Sequence, residues 1–186
     1  MKYNVETLIK QQEGGKPRKY LFFWGHQPAS DGSITKSCFS QWWHAPFVIG
    51  DVTYPTAEHW MMAEKARLFG DIEIQDAILK AKSPAEVKKL GREVKNFDEA
   101  IWNQKRYSIV LQGTWNKFNQ HPDLKQFLIQ TNDRVLVEAS PVDDIWGIGL
   151  AADHQKANDP SQWRGINLLG FALMEVRDLL RENRSL

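Results

Sequence analysis

An acidic residue in the first turn of a helix, with a lysine two turns further on, can bring a carboxylate and an ammonium to one ligand. The run Pro55-Thr56-Ala57-Glu58-His59 has this form. Thr56 is a good N-cap, so Glu58 falls where unpaired backbone N–H groups and the helix dipole favour an ionised carboxylate. Met62, Lys65 and Phe69 follow on the same face. Glu58 and Lys65 stand about 10 Å apart along the axis at 1.5 Å per residue. Such a pair could serve a ribose and its phosphate. First-turn acids are also common helix decoration, and spacing alone favours that plainer reading.

A second group lies on the helix expected after Asp98. Trp102, Arg106, Ile109, Gly113 and Lys117 form one stripe, a poor core but a fair wall for a planar, charged ligand. Ile101, Ser108, Leu111, Trp115 and Phe118 read as the core-facing stripe beside it. The opposing reading makes Trp102 a buried anchor and leaves the cations in solvent. A third group is the loop from Glu138 to Gly149, in which Asp143, Asp144 and Trp146 follow a strand. Functional residues often sit on such loops. Gly147 to Ala152 also fits G-x-G-x-x-A, but no helix start follows and the chain lacks repeated strand–helix units, so a dinucleotide fold is rejected.

Other chemistries find little support. The five histidines are scattered and none pairs at metal-ligand spacing. No G-x-S-x-G occurs, and the single cysteine, Cys38, reads as a buried apolar residue. One cysteine excludes an intramolecular disulfide and fits a reducing compartment, so the expected location is the cytoplasm. No apolar run is long enough to span a membrane. With 24 Lys+Arg against 23 Asp+Glu the net charge is +1, which disfavours binding to nucleic acid by bulk charge. The basic run Lys16 to Lys19 reads as a solvated segment, with contact to a phosphate backbone as the minority alternative.

The elements that must position these residues can be read in order. The 186 residues suit one domain: a flexible segment over 1–19, then a single multihelical domain over 20–186, mainly α (α+β) with a small β-sheet. A strand is expected over Tyr20–Trp24 and a hairpin over Phe47–Tyr54, turning at Gly50-Asp51. Thr56, Asp71, Ser83 and Asp98 cap four helices, with Gly70 and Gly91 ending the first and third. A short helix from Pro122, a strand over Arg134–Ala139 and a last helix over about 166–182 complete the chain. That last helix carries Leu169, Leu173, Val176 and Leu180 on one stripe.

Taken in sequence, Phe39-Ser40-Gln41-Trp42, Pro55 to Ala66 (PTAEHWMMAEKA), Leu90-Gly91-Arg92, Trp102, Lys117-Phe118, Leu136 to Pro141, Asp143, Trp146-Gly147 and Asn167-Leu168-Leu169-Gly170 form a distinctive set. The set resembles the YbiA-like, or NADAR, family of N-glycosidases from about Tyr20 to Arg181. The resemblance implies a mainly helical fold, cleavage of a ribosyl C–N bond and no metal or organic cofactor. It implies substrates such as phosphoribosylamino-pyrimidine intermediates of riboflavin synthesis, or ADP-ribosylated guanine in DNA; no membrane partner is expected. The family's functional glutamate, tryptophan and aspartate fall on Glu58, Trp102 and Asp143. Trp146, Lys65, Arg92, Lys117, Gln41 and Asn167 are the implied substrate-binding set. The family commonly has asparagine where this chain has Gln41. Two other classes stay open beside the enzyme: a non-catalytic binder of ADP-ribose or nucleotides, and a nucleic-acid-binding module.

Overall fold

The computed structural model describes residues 1–16 and 18–186. The basic run and the 1–19 segment both include Pro17, which lies outside them. Seven α-helices and two pairs of short strands form among the described residues. The chain divides into two compact units, residues 1–40 with 122–186, and residues 41–121.

In the first unit, β1 (Tyr20–Phe23) and β4 (Val135–Glu138) pair in parallel, with Tyr20 opposite Val135 and Phe23 opposite Glu138. Helix α7 (Leu168–Arg181) packs on β4, and α6 (Pro122–Ile129) packs on α7. The expected stripe of α7 is buried at all four positions. Gly170 makes this docking close: a Cβ there would stand 2.1 Å from the Leu136 carbonyl oxygen. The N-terminal stretch holds an element the sequence reading did not anticipate, α1 (Val5–Glu13). Asn4 caps it through the Thr7 N–H, and Leu8 is its one buried residue. Val5, Leu8 and Ile9 stand at i, i+3 and i+4, an amphipathic spacing that was legible in the sequence behind the surrounding polar residues.

In the second unit, β2 (Phe47–Ile49) and β3 (Val52–Tyr54) form the expected hairpin, with Gly50 at φ 61° in the turn. Four helices follow: α2 (Ala57–Leu68), α3 (Ile72–Lys80), α4 (Pro84–Arg92) and α5 (Glu99–Gln120). Thr56, Asp71, Ser83 and Asp98 each accept a backbone N–H as N-caps. The strand content is thus two separate pairs, one in each unit, where a single small sheet was expected.

Two local expectations are corrected. Gly91 does not end α4; it lies buried inside the last turn, facing Met62, where a Cβ would fall 2.1 Å from Sδ. The glycine is there for close helix packing. The stripes of α5 are also redrawn: Phe118 is buried as expected and Leu111 and Trp115 are half-buried, but the rest of the expected core face lies in solvent. Ile101 is 43% exposed and Ser108 is exposed, whereas Trp102, Gly113 and Lys117 are buried with Val110, Thr114 and Phe118. The cause is Trp60 of α2, whose indole lies against Gly113 and donates Nε1–H to the Ile109 carbonyl at 2.7 Å. A large ring needs a hollow, and the glycine stripe supplies it.

Candidate functional site

Glu58 is the second residue of α2 and is only 4% exposed. Two of the donors at the start of this helix are already used. The Glu58 N–H bonds the Gln41 carbonyl at 3.0 Å, and the His59 N–H bonds Thr56. The dipole of the helix favours the anion at this position. His59, which the sequence reading passed over, is buried and pins this turn. Its Nδ1 meets Thr56 Oγ1 at 2.8 Å and its Nε2 meets the Ala81 carbonyl at 3.2 Å. Burial pushes the imidazole below its ordinary range, so it stays neutral. Thr-x-x-His across a helix cap was the available signal. Gln41 is buried, with its side-chain amide on Met61 Sδ at 3.4 Å. It therefore supports Glu58 through its backbone, in a role set by position.

Lys65 lies half-buried two turns along α2. Its Nζ donates to the Gly91 carbonyl at 2.7 Å and stands 4.2 Å from the Phe97 ring centre and 5.7 Å from that of Trp102. Among the described residues no carboxylate pairs with it. Desolvation pushes its pKa down. Aromatic faces and one carbonyl partly offset the buried charge; an anionic ligand would offset more of it. Arg92 follows Gly91 and is exposed. The structure thus brings Lys65 and Trp102 together, with Arg92 adjoining the carbonyl that holds Lys65.

Lys117 is not part of that group. It lies fifteen residues beyond Trp102 on α5, about 22 Å along the axis, and is 1% exposed. Since Trp60 meets Gly113 while Lys65 meets Trp102, α2 and α5 run antiparallel. Lys117, one turn past Gly113, lies toward the end of α2 that carries Glu58. A single phosphate held at Lys65 is out of its reach.

Asp143, Trp146 and Asn167 belong to the other unit. Asp143 Oδ1 accepts the Ile145 and Trp146 N–H groups at 3.0 and 2.7 Å. Its second oxygen takes no hydrogen bond among the described residues. Asp143 is half-buried and Asp144 is exposed. Trp146 is half-buried, and its carbonyl accepts the Leu169 N–H at 3.1 Å. Asn167 is fully buried; its amide donates to the Leu136 carbonyl and accepts from the Glu138 N–H, both at 3.0 Å. One N–H and one lone pair of the amide are taken by β4, so Asn167 positions the loop. The glycines of the G-x-G-x-x-A match likewise serve packing. A Cβ on Gly147 would stand 2.7 Å from the Glu138 carbonyl oxygen, and no helix follows. Among the described residues no group of three or more His, Cys, Asp or Glu could hold a metal.

Trp102, 9% exposed, can be a ligand wall or a core anchor. We expect Trp102→Ala to weaken substrate binding by about 1–3 kcal/mol, the scale of one base–aromatic stack, and Trp102→Phe to retain part of it. Ligand titration beside thermal melts checks this. A loss of about 3–5 kcal/mol of stability with unchanged affinity in the folded fraction would make it an anchor only.

The NADAR domain model matches residues 22–181. The chain is 42% identical over 166 residues to N-glycosidase R617 of Acanthamoeba polyphaga mimivirus, covering 86% of this chain and 95% of the relative. It is 33% identical over 132 residues to the chloroplastic riboflavin biosynthesis protein PYRR of Zea mays, covering 67% of this chain but 19% of that much longer protein. The NMR structure of the E. coli protein YbiA superposes with a TM-score of 0.70 at 26% identity, over 90% of this chain and 88% of the other. The mainly helical fold, the ordered motifs and a domain match over most of the sequence agree, and the chain belongs to the NADAR family.

Proposed function

We propose that this chain hydrolyses the ribosyl C–N bond of a phosphoribosylamino-pyrimidine intermediate of riboflavin synthesis or of ADP-ribosylated guanine, acting in the cytoplasm. That it is a hydrolase of N-glycosyl bonds follows from its family and its N-glycosidase relative. The observation that carries the residue-level reading is the burial of Glu58. A first-turn acid that merely decorates a helix stays in water, because burying a carboxylate is costly. Cleaving the C–N bond builds positive charge on the sugar, and a fixed anion lowers that barrier. Water supplies the new bond to the anomeric carbon, and the departing nitrogen takes a proton. In this reading Glu58 stabilises the cation or activates the water. Asp143 binds ribose hydroxyls or serves the leaving group, and Trp102 stacks on the base with Trp146 as a further wall. Lys65 and Arg92 hold a phosphate.

A non-catalytic binder of ADP-ribose ranks second, since a buried carboxylate repels anionic phosphates without offering such a ligand anything. Incubation with a phosphoribosylamino-pyrimidine and with ADP-ribosylated guanosine separates the readings. Release of ribose 5-phosphate or ADP-ribose identifies the substrate; binding of both without release supports the binder.

Lys65 gives this reading a pH signature. Its pKa is depressed in the unliganded protein, and a bound phosphate raises it again. Only the ammonium attracts the anion. Affinity for a phosphorylated ligand should therefore fall as pH rises through the depressed pKa, with proton uptake on binding. Lys65→Met should weaken binding at neutral pH and remove that part of the pH dependence. Calorimetry in buffers of different ionisation enthalpy reads both.

A further inference from the structure

We propose that the end of the first unit where β1 and β4 begin is a second site, built to bind a phosphate group. The proposal is independent of the glycosidase reading. Parallel pairing of Tyr20 with Val135, extended by the Val135 N–H to the Lys19 carbonyl at 2.9 Å, forces two short segments side by side. These are Arg18-Lys19 and Asn132-Asp133-Arg134, and together they line an open pocket of about 320 Å³. Three of the five residues are cations, and all five are exposed. The one carboxylate, Asp133, is engaged by Arg181 at 3.2 Å. Among the described residues Arg18, Lys19 and Arg134 make no ion pair; Arg18 Nε bonds only Gln11 Oε1 at 3.1 Å. In a chain with net charge +1, this is a local concentration of positive charge.

Isolated surface cations are normally just solvated. Here a second feature lies against the cluster. Arg177 of α7 is 2% exposed, with no ion pair among the described residues. It donates to the Arg134 carbonyl at 2.8 Å and to Thr131 Oγ1 at 2.9 Å, and its Nε has no partner. Burial pushes its pKa down, but a guanidinium remains charged at neutral pH. It also lines a neighbouring cavity of about 100 Å³ that shares Arg18 and Asp133 with the open pocket. A buried guanidinium thus braces the turn that presents Arg134, and Asn132 at φ 53° fixes the turn's shape. Guanidinium groups lining one pocket on a braced backbone suit phosphate oxygens.

The pocket stands apart from the Asp143 loop. That loop follows the far end of β4, and the four-residue strand between them spans about 13 Å. The site therefore takes a phosphate other than one held beside Asp143, from a free diphosphate-type ligand or from a nucleic-acid strand.

Titration of the full-length protein with inorganic pyrophosphate and with a 12-nucleotide single strand, each at two salt concentrations, tests this. NMR shifts should appear at 18–19 and 132–134. Arg18→Gln with Arg134→Gln should weaken binding about tenfold or more, while Arg134→Lys keeps most of it. For the oligonucleotide the logarithmic salt slope should shrink by about two, one per phosphate contact removed. Weakening confined to pyrophosphate identifies a free phosphate ligand; weakening confined to the oligonucleotide identifies a strand. If neither ligand binds, or the double variant binds both as well as the wild type, the proposal is wrong. Binding is read without turnover, so failure of the glycosidase reading would leave this result intact.

Discussion

Glu58→Gln should lower turnover by roughly 10²-fold or more, the scale of losing one electrostatic or acid–base group, while leaving the fold in place. The amide keeps the size and much of the hydrogen bonding of the carboxylate but not its charge. The loss should fall on kcat rather than on KM, because the sugar becomes cationic only in the transition state. The fold should persist: the amide fills the volume of the carboxylate, and removing a buried charge removes a desolvation cost along with the dipole's favour. Thr56, His59 and Gln41 hold the helix start through bonds that do not involve the Glu58 side chain. Single-turnover rates beside a thermal melt give both quantities. A folded Glu58→Gln protein with near-normal turnover would remove Glu58 from catalysis and move the binder reading to first place.

Much of the local frame was legible because its signals are themselves local. Thr56, Asp71, Ser83 and Asp98 cap the helices expected of them, since an oxygen two or three residues ahead of an orphan N–H needs no distant partner. The glycines show where such reasoning stops. Gly50 and Gly70 have positive φ and mark a turn and a helix end as expected. Gly91 and Gly113 are helical and exist for Met62 and Trp60, which no neighbouring residue reveals. The redrawn faces of α5 have the same origin. A Trp, a glycine and cations look like a poor core until the Trp60 ring is laid against them. The parallel pairing of β1 with β4 joins segments more than a hundred residues apart, and the basic pocket follows from that register rather than from any run in the sequence.

The candidate site divides in the same way. Glu58's place in a first turn could be read from Thr56, but its burial, on which the catalytic proposal rests, could not. Lys65 was readable as a cation two turns along. Its seat on the Phe97 and Trp102 rings and the Gly91 carbonyl depends on three separate segments. Asn167 is legible as a motif residue, but the bridge its amide makes to the backbone of β4 joins segments about thirty residues apart and could not be read locally.

Asp143→Ala should cut turnover by about 10²-fold, the scale of one positioned polar or acid–base group, whereas Asp144→Ala should cost less than about twofold. The two residues are adjacent, and sequence chemistry alone does not separate them. Asp143 is the more buried of the two and Asp144 faces solvent, where a charge change is nearly silent. Asp143→Ala has a second consequence that must be told apart from the first. Its Oδ1 holds the Ile145 and Trp146 N–H groups, so alanine also loosens the loop. Asp143→Asn keeps an acceptor oxygen for those bonds while removing the charge. If the carboxylate touches the ribose or the leaving group, Asp143→Asn should remain well below wild type in kcat with the loop intact. If Asp143 acts only by shaping the loop, Asp143→Asn should recover most of the activity that Asp143→Ala loses. Turnover of the three variants, with NMR shifts of the 143–149 amides to report loop geometry, separates the cases. A damaging Asp144→Ala beside a harmless Asp143→Ala would place the functional aspartate one residue further along the loop.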